Sequence, residues 1–166
     1  MAIKQVGVIG CGLMGSGIAQ VSSQAGFPTV VIEANQAFLD KGLGGLRKSL
    51  ESLVAKAKID ERAKDETLGR LKGSVQLDDL KDCDLVIEAI TENQAVKNES
   101  FAKLDAFCRP HALLASNTSS CMVTAMAAAT ITANATYAAS ALLCCRTVNE
   151  TSRRHRTGPN RPAPDS

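Results

Sequence analysis

The residues of this chain best placed to do chemistry lie in three short segments, each directly after an apolar run. The first is Gly10-Cys11-Gly12-Leu13-Met14-Gly15. It follows Val6-Gly7-Val8-Ile9, which reads as a buried strand, and leads into Ser16-Gly17-Ile18-Ala19-Gln20-Val21, which reads as the opening of a helix. Strand, glycine loop and helix in this order form a seat for a diphosphate. Gly10 allows a tight turn, Gly12 lets the backbone approach a pyrophosphate, and Gly15 lets helix and strand pack closely. Cys11, Leu13 and Met14 supply the rest of the loop backbone. The helix N-terminus adds free N–H groups and the positive end of its dipole. A second apolar run, Thr29-Val30-Val31-Ile32, ends in Glu33. An acid there accepts hydrogen bonds from the adenosine ribose hydroxyls and repels a 2′-phosphate. The chemistry implied is dinucleotide binding, NAD in preference to NADP. The alternative is a glycine loop without a ligand beside a surface glutamate.

The other two segments are Thr91-Glu92-Asn93, after Ile90, and Ser116-Asn117-Thr118-Ser119-Ser120, after Ala115. Small hydroxyl and amide side chains can surround a substrate oxygen with hydrogen-bonding groups. The same residues also cap helices routinely, and composition alone favours capping.

Apolar runs alternating with helical periodicity must position these segments. Phe38, Leu39, Leu43, Leu46, Leu50, Leu53 and Val54 recur at helical spacing. Asp60 is placed to cap a second helix running through Leu68 and Leu71, so that the two form a hairpin inserted into the sheet. Residues 73–77 predict a third strand, 84–90 a fourth and 112–115 a fifth. Residues 93–108 predict a helix with Val96, Phe101, Leu104 and Phe107 on one face, ended by Arg109-Pro110. The fold class expected is α/β: a Rossmann-type parallel sheet with helices on both faces. Ligands bind such a sheet beyond the carboxyl ends of its strands, where all three segments fall.

The chain has 166 residues, enough for one domain with a real core, and a net charge of +2, which gives no pull toward nucleic acid or an anionic membrane. With no Trp and one Tyr, base-stacking platforms are not expected. The six cysteines include no C-x-x-C pair and there are two histidines, so no metal site is expected. A disulfide at Cys11 would obstruct the loop; reduced thiols in a cytoplasmic setting are the simpler reading. The Ala- and Thr-rich stretch from Cys121 to Cys145 contains Asn134 and reads as soluble rather than membrane-spanning. Met1 to Lys4 lead almost directly into the first strand, leaving no room for a targeting segment.

Together the motifs resemble the 3-hydroxyacyl-CoA dehydrogenase family. The resemblance rests on residues 8–19, on Asp84-Leu85-Val86-Ile87-Glu88-Ala89-Ile90-Thr91-Glu92-Asn93, and on Ala115-Ser116-Asn117-Thr118-Ser119-Ser120. It covers roughly residues 1–130. It implies oxidation of a 3-hydroxyacyl-CoA to a 3-ketoacyl-CoA with hydride transfer to NAD. It also implies roles: Glu33 on the adenosine ribose, Glu92 and Lys97 by the nicotinamide half, and Ser119 on the substrate oxygen at C3 with Asn117 beside it. Ser49 and Lys56, on the long helix, match positions that touch coenzyme A. Without the resemblance, Lys56 reads as part of a solvated helix face.

The chain departs from the family after this point. The family's general base is a His in a His-Phe-Phe-Asn-Pro segment, followed by a helical domain that closes the cleft and forms the dimer; neither is represented in these 166 residues. His111 reads as a surface loop residue, and His155 lies among Arg153, Arg154 and Arg156. No Lys follows Lys103. Shifting the frame by one nucleotide at Ala141-Leu142-Leu143 allows codons for His-Phe-Phe, and further on Leu-Met-Lys-Leu, although Cys144 and Cys145 do not convert to Asn-Pro. The expectation is therefore an incomplete dinucleotide-binding domain over residues 1–138, lacking its sixth strand, and an aberrant or disordered tail over 139–166. A genuine short variant, a non-catalytic NAD-binding relative and a partner-recruiting basic tail are the alternatives. An exposed sheet edge is expected to promote association. Residues 146–166 hold five Arg, three Pro and almost no large apolar side chain, so they cannot offset the entropy of ordering. Rapid proteolysis there is expected; protection equal to that of the helix after the glycine loop would show that the tail is packed.

Overall fold

The computed structural model describes residues 2–118, 121, 123–130 and 136–138. Its centre is a six-stranded sheet in the order β3-β2-β1-β4-β5-β6, parallel throughout. The strands are β1 (Val6–Ile9), β2 (Thr29–Ile32), β3 (Leu71–Ser74), β4 (Leu85–Glu88), β5 (Leu113–Ser116) and β6 (Thr136–Ala138). The connecting helices are α1 (Leu13–Gln24), α2 (Gln36–Ala55), α3 (Glu61–Gly69), α4 (Gln94–Phe107) and α5 (Val123–Ala128), with a 3-10 turn at Leu77–Leu80. The chain runs outward from β1 through β2 to β3, then crosses back to β4 on the other side of β1. This reversal opens a crevice at the carboxyl ends of β1 and β4.

Strand alternation divides the core in two. Val6, Val8, Val31, Ile87 and Ala115 meet Leu39, Leu46 and Leu50 of α2 and Ala19 of α1 on one face. Ile9, Val30, Ile32, Val86 and Leu114 meet Leu80, Phe101, Leu104 and Met126 on the other. Both faces are buried along β1, β2, β4 and β5, which is why these strands read as largely apolar runs rather than alternating ones. Asp84 ties the sheet's amino edge: its Oδ2 accepts the N–H groups of Lys4 at 2.8 Å and Gln5 at 3.1 Å.

The helical hairpin forms as expected, with Asp60 accepting from the N–H of Ala63 at 2.7 Å as the cap of α3. Four expectations need correction. The third strand begins at Leu71 and ends at Ser74, two to three residues earlier than its apolar pattern suggests. Leu71, read as the last turn of a helix, lies in this strand, because α3 ends at Gly69 and β3 must pair Leu71 with Thr29. The sheet also has a sixth strand: Thr136–Ala138 pairs with residues 114–116, so β5 is not the open edge. Finally, the inward face of α4 is Lys97, Phe101 and Leu104, whereas Val96 is 39% exposed. Phe101, Leu104 and Phe107 face the core as the periodicity places them, and only Val96 is misplaced, because Lys97 occupies the core site beside it.

Candidate cofactor site

The glycine loop joins β1 to α1 at the crevice. Gly10 has φ +91°, and a Cβ on it would stand 2.6 Å from the Ala89 carbonyl oxygen. A Cβ on Gly15 would collide with the Gly10 carbonyl. Both glycines are thus demanded by the fold itself. Gly12, the N-cap of α1, is different: nothing lies within 4 Å of where its Cβ would be. Its open backbone adjoins the first N–H groups of the helix, which have no intrahelical acceptor. An anion fits there.

Glu33 stands directly after β2 and closes the loop from the side. Its Oε1 accepts the Cys11 N–H at 2.6 Å, and its Oε2 accepts the Ala34 N–H at 3.1 Å. A carboxylate has about four acceptor positions, so both oxygens retain capacity for ribose hydroxyls. Burial, and then the Glu33 charge, push the Cys11 thiol up to about 11. It is protonated at neutral pH and no nucleophile. Cys11, Cys83, Cys108 and Cys121 are free thiols.

A furrow of about 690 Å³ runs from this loop between α1 and α2, a size ordinary for small-molecule sites. One wall carries Ser16, Gly17 and Gln20; the other carries Phe38, Lys41, Gly45 and Ser49, with Glu33 at the mouth. Ser49 is therefore in the furrow. Lys56, the C-cap of α2, is exposed and outside its lining. Phe38, one of the apolar residues recurring at helical spacing, is 56% exposed at the furrow's wall.

The other two polar segments converge across the crevice. Thr118 Oγ1 donates to Glu92 Oε2 at 2.6 Å and accepts the Cys121 N–H at 3.0 Å. Asn93 caps α4, accepting from Ala95 and Val96. The capping reading is thus correct for Asn93, while Glu92 links the two loops. Asn117, half-buried, donates its N–H to the Glu88 carbonyl at 2.7 Å. Ser119 lies outside the described residues. Lys97 is 1% exposed, and its ammonium sits on Glu88, itself 0% exposed, at 2.8 and 2.7 Å. Ser116 Oγ donates to the same carboxylate at 2.6 Å. Sequence reasoning missed Glu88, although an acid on the inward position of a buried strand is itself a signal that a partner must exist. Replacing Lys97 by Met strands that carboxylate and is expected to cost about 3–5 kcal/mol. Urea denaturation measures it; a loss within about 1 kcal/mol, as for a surface pair, would show that water reaches Glu88.

A parallel doubly wound sheet, a glycine loop at its reversal point and an acid after the second strand define a dinucleotide-binding domain. Similarity to known proteins specifies which. Residues 5–139 match the family described as 3-hydroxyacyl-CoA dehydrogenase, NAD binding domain, and the chain belongs to that family. Its family cofactor is NAD. The chain is 50% identical over 123 residues to a probable 3-hydroxybutyryl-CoA dehydrogenase of Deinococcus radiodurans, covering 74% of this chain and 44% of the relative. It is 49% identical over 130 residues to the 3-hydroxybutyryl-CoA dehydrogenase of Mycobacterium tuberculosis, covering 78% and 46%. The crystal structure of Mycobacterium tuberculosis FadB2 superposes with a TM-score of 0.81 at 46% identity, covering 83% of this chain and 49% of that one. The chain spans less than half the length of these relatives. No helix among the described residues is long and apolar enough to cross a membrane.

Proposed function

We propose that this chain is the cofactor-holding part of an NAD-dependent dehydrogenase that interconverts 3-hydroxyacyl-CoA and 3-ketoacyl-CoA. Residues 1–138 form the dinucleotide domain and 139–166 lie outside it. The observation that carries the reading is the Glu33 carboxylate bonded to the Cys11 N–H of the glycine loop. It holds a negative charge beside the glycine loop, where an acid after the second strand would accept from the adenosine ribose of a bound dinucleotide. When bound, NAD supplies the hydride acceptor; the protein's share is to hold it and to orient the substrate. Glu92 lies at the nicotinamide end of the crevice, tied to Thr118. Ser119, one residue further, orients the oxygen at C3, with Asn117 beside it. Ser49 in the furrow, and Lys56 beyond it, meet the coenzyme A carrier. A cytoplasmic location belongs to this reading, because the free thiols suit a reducing compartment.

Titration of NADH and NADPH by nucleotide fluorescence tests it. NADH is expected to bind at least about tenfold more tightly, roughly 1.4 kcal/mol, because a 2′-phosphate meets the Glu33 charge. Lys41 lines the same furrow. Were its charge to dominate, NADPH would bind as tightly or more so, and the assignment of Glu33 would fall.

A further inference from the structure

On the reading above, a bound dinucleotide would span the crevice between β1 and β4, with its adenosine half toward Glu33 on the β2 side. Its other half must then lie over the loops that follow β4 and β5. One buried residue reaches both loops. Glu88 is the last residue of β4, in register with Ile9 of β1 and Ser116 of β5. Its Oε1 accepts the Ile90 N–H at 2.8 Å, in the loop after β4. Its Oε2 accepts the Ser116 hydroxyl at 2.6 Å, on the last residue of β5, which leads into the loop after it. The Lys97 ammonium, from α4, fills one further acceptor position on each oxygen. The main-chain carbonyl of Glu88 takes the Asn117 N–H.

We propose that Glu88 is a positioning residue for the nicotinamide half of the cofactor: its carboxylate clamps the loop after β4 to the carboxyl end of β5, from which the next loop departs, and Lys97 neutralises it there. This rests on the cofactor reading above. Apolar side chains of similar volume would stabilise the core at least as well as a buried ion pair, but they could not accept from Ile90 and Ser116. A fully satisfied buried network fixes one geometry. The Thr118–Glu92 bond then ties the same loops a second time further out. Lys97 thereby acts through Glu88 rather than on the cofactor.

The test compares NADH with ADP-ribose, which keeps the adenosine half and lacks the nicotinamide. Ser116→Ala removes one clamp from a site where alanine fits. NADH affinity is expected to fall about three- to tenfold, the worth of one buried hydrogen bond, with ADP-ribose affinity unchanged. A pair of double variants removes the ion pair while keeping the volume. Glu88→Gln with Lys97→Met retains an acceptor for Ile90 and a polar partner for Ser116, and should keep the wild-type ratio of NADH to ADP-ribose affinity. Glu88→Met with Lys97→Met retains neither, and the ratio should fall, with the emission of bound NADH moving toward that of the free nucleotide. If Ser116→Ala weakened both ligands equally, or neither, the proposal would be overturned. Equal ratios in the two double variants would overturn it as well. A wild-type chain that bound ADP-ribose but not NADH would also overturn it, while leaving the glycine-loop site intact. Binding of neither ligand would overturn the cofactor reading itself.

Discussion

Gly15→Ala is expected to unfold this domain more readily while Gly12→Ala is expected to spare the fold and weaken the cofactor. The two glycines stand three residues apart in one loop, yet their surroundings are opposite. A methyl group on Gly15 collides with the Gly10 carbonyl, part of a turn held at φ +91°. The Gly10 backbone resists yielding, because it donates its N–H to Ile32 at 2.8 Å and turns against Ala89, which donates to Ile9 at 2.8 Å. A cost of about 3 kcal/mol or more, at the upper end for overpacking, lowers the melting temperature by roughly 6–12 °C in a domain of this size. Gly12 has open space around it and backbone angles that alanine adopts freely, φ −69° and ψ −164°. Alanine there loses only a modest N-cap preference, about 1 kcal/mol or less. On the cofactor reading the methyl group would stand against the pyrophosphate, and NADH affinity is expected to fall at least about tenfold. Gly44→Ala is the control: open space inside α2 and outside the furrow lining, where alanine stabilises by up to about 1 kcal/mol. Thermal melts and NADH titrations separate the effects. Unchanged NADH affinity in Gly12→Ala would show that the pyrophosphate does not pass over that backbone. A wild-type melting temperature in Gly15→Ala would show that α1 packs on β1 with slack.

What the sequence made legible was whatever is decided locally. The requirement for glycine at 10 and 15, the acid after β2 and the Asp60 cap each depend on a few neighbouring residues, and each stands where its pattern placed it. Features decided by tertiary contact were harder. Lys97 hides the inward face of α4, because a lysine reads as solvent-facing unless its buried partner is known. Leu71 continues the apolar spacing of α3, and only its pairing with Thr29 assigns it to a strand. β6 is three residues in an Ala- and Thr-rich stretch, too short to carry a period. The furrow was invisible as such. Its walls come from two helices, and Ser16 and Gln20 on α1 or Lys41 and Ser49 on α2 look like ordinary surface until the helices are set side by side. Phe38 satisfies the apolar period of α2 and still faces the furrow, since its neighbour Leu39 takes the core position.

A purified polypeptide of these 166 residues is expected to bind NADH but to reduce acetoacetyl-CoA only negligibly. Hydride delivery to a ketone leaves an alkoxide that needs a proton from a group within hydrogen-bond reach, roughly 3 Å. The loops that would face the substrate, around Glu92 and Thr118, lie at the carboxyl ends of β4 and β5. His111 is exposed and precedes β5. Four strand residues separate the two ends of β5, about 13 Å at the usual rise, so His111 sits at the opposite edge of the sheet from the cofactor. His155 stands in an arginine-rich context unlike the family's His-Phe-Phe-Asn-Pro. Loss of a positioned acid–base group alone slows such a step by about 10²–10⁴-fold. The assay follows NADH absorbance with acetoacetyl-CoA, beside a titration showing that cofactor is bound. Binding without turnover is the expected pairing, and it distinguishes a competent cofactor domain from a chain that has lost the site altogether. A rate approaching that of a full-length relative would contradict it. His111→Ala and His155→Ala would then show which histidine reaches the substrate, and a role for His111 would require the sheet edges to be arranged otherwise than they are.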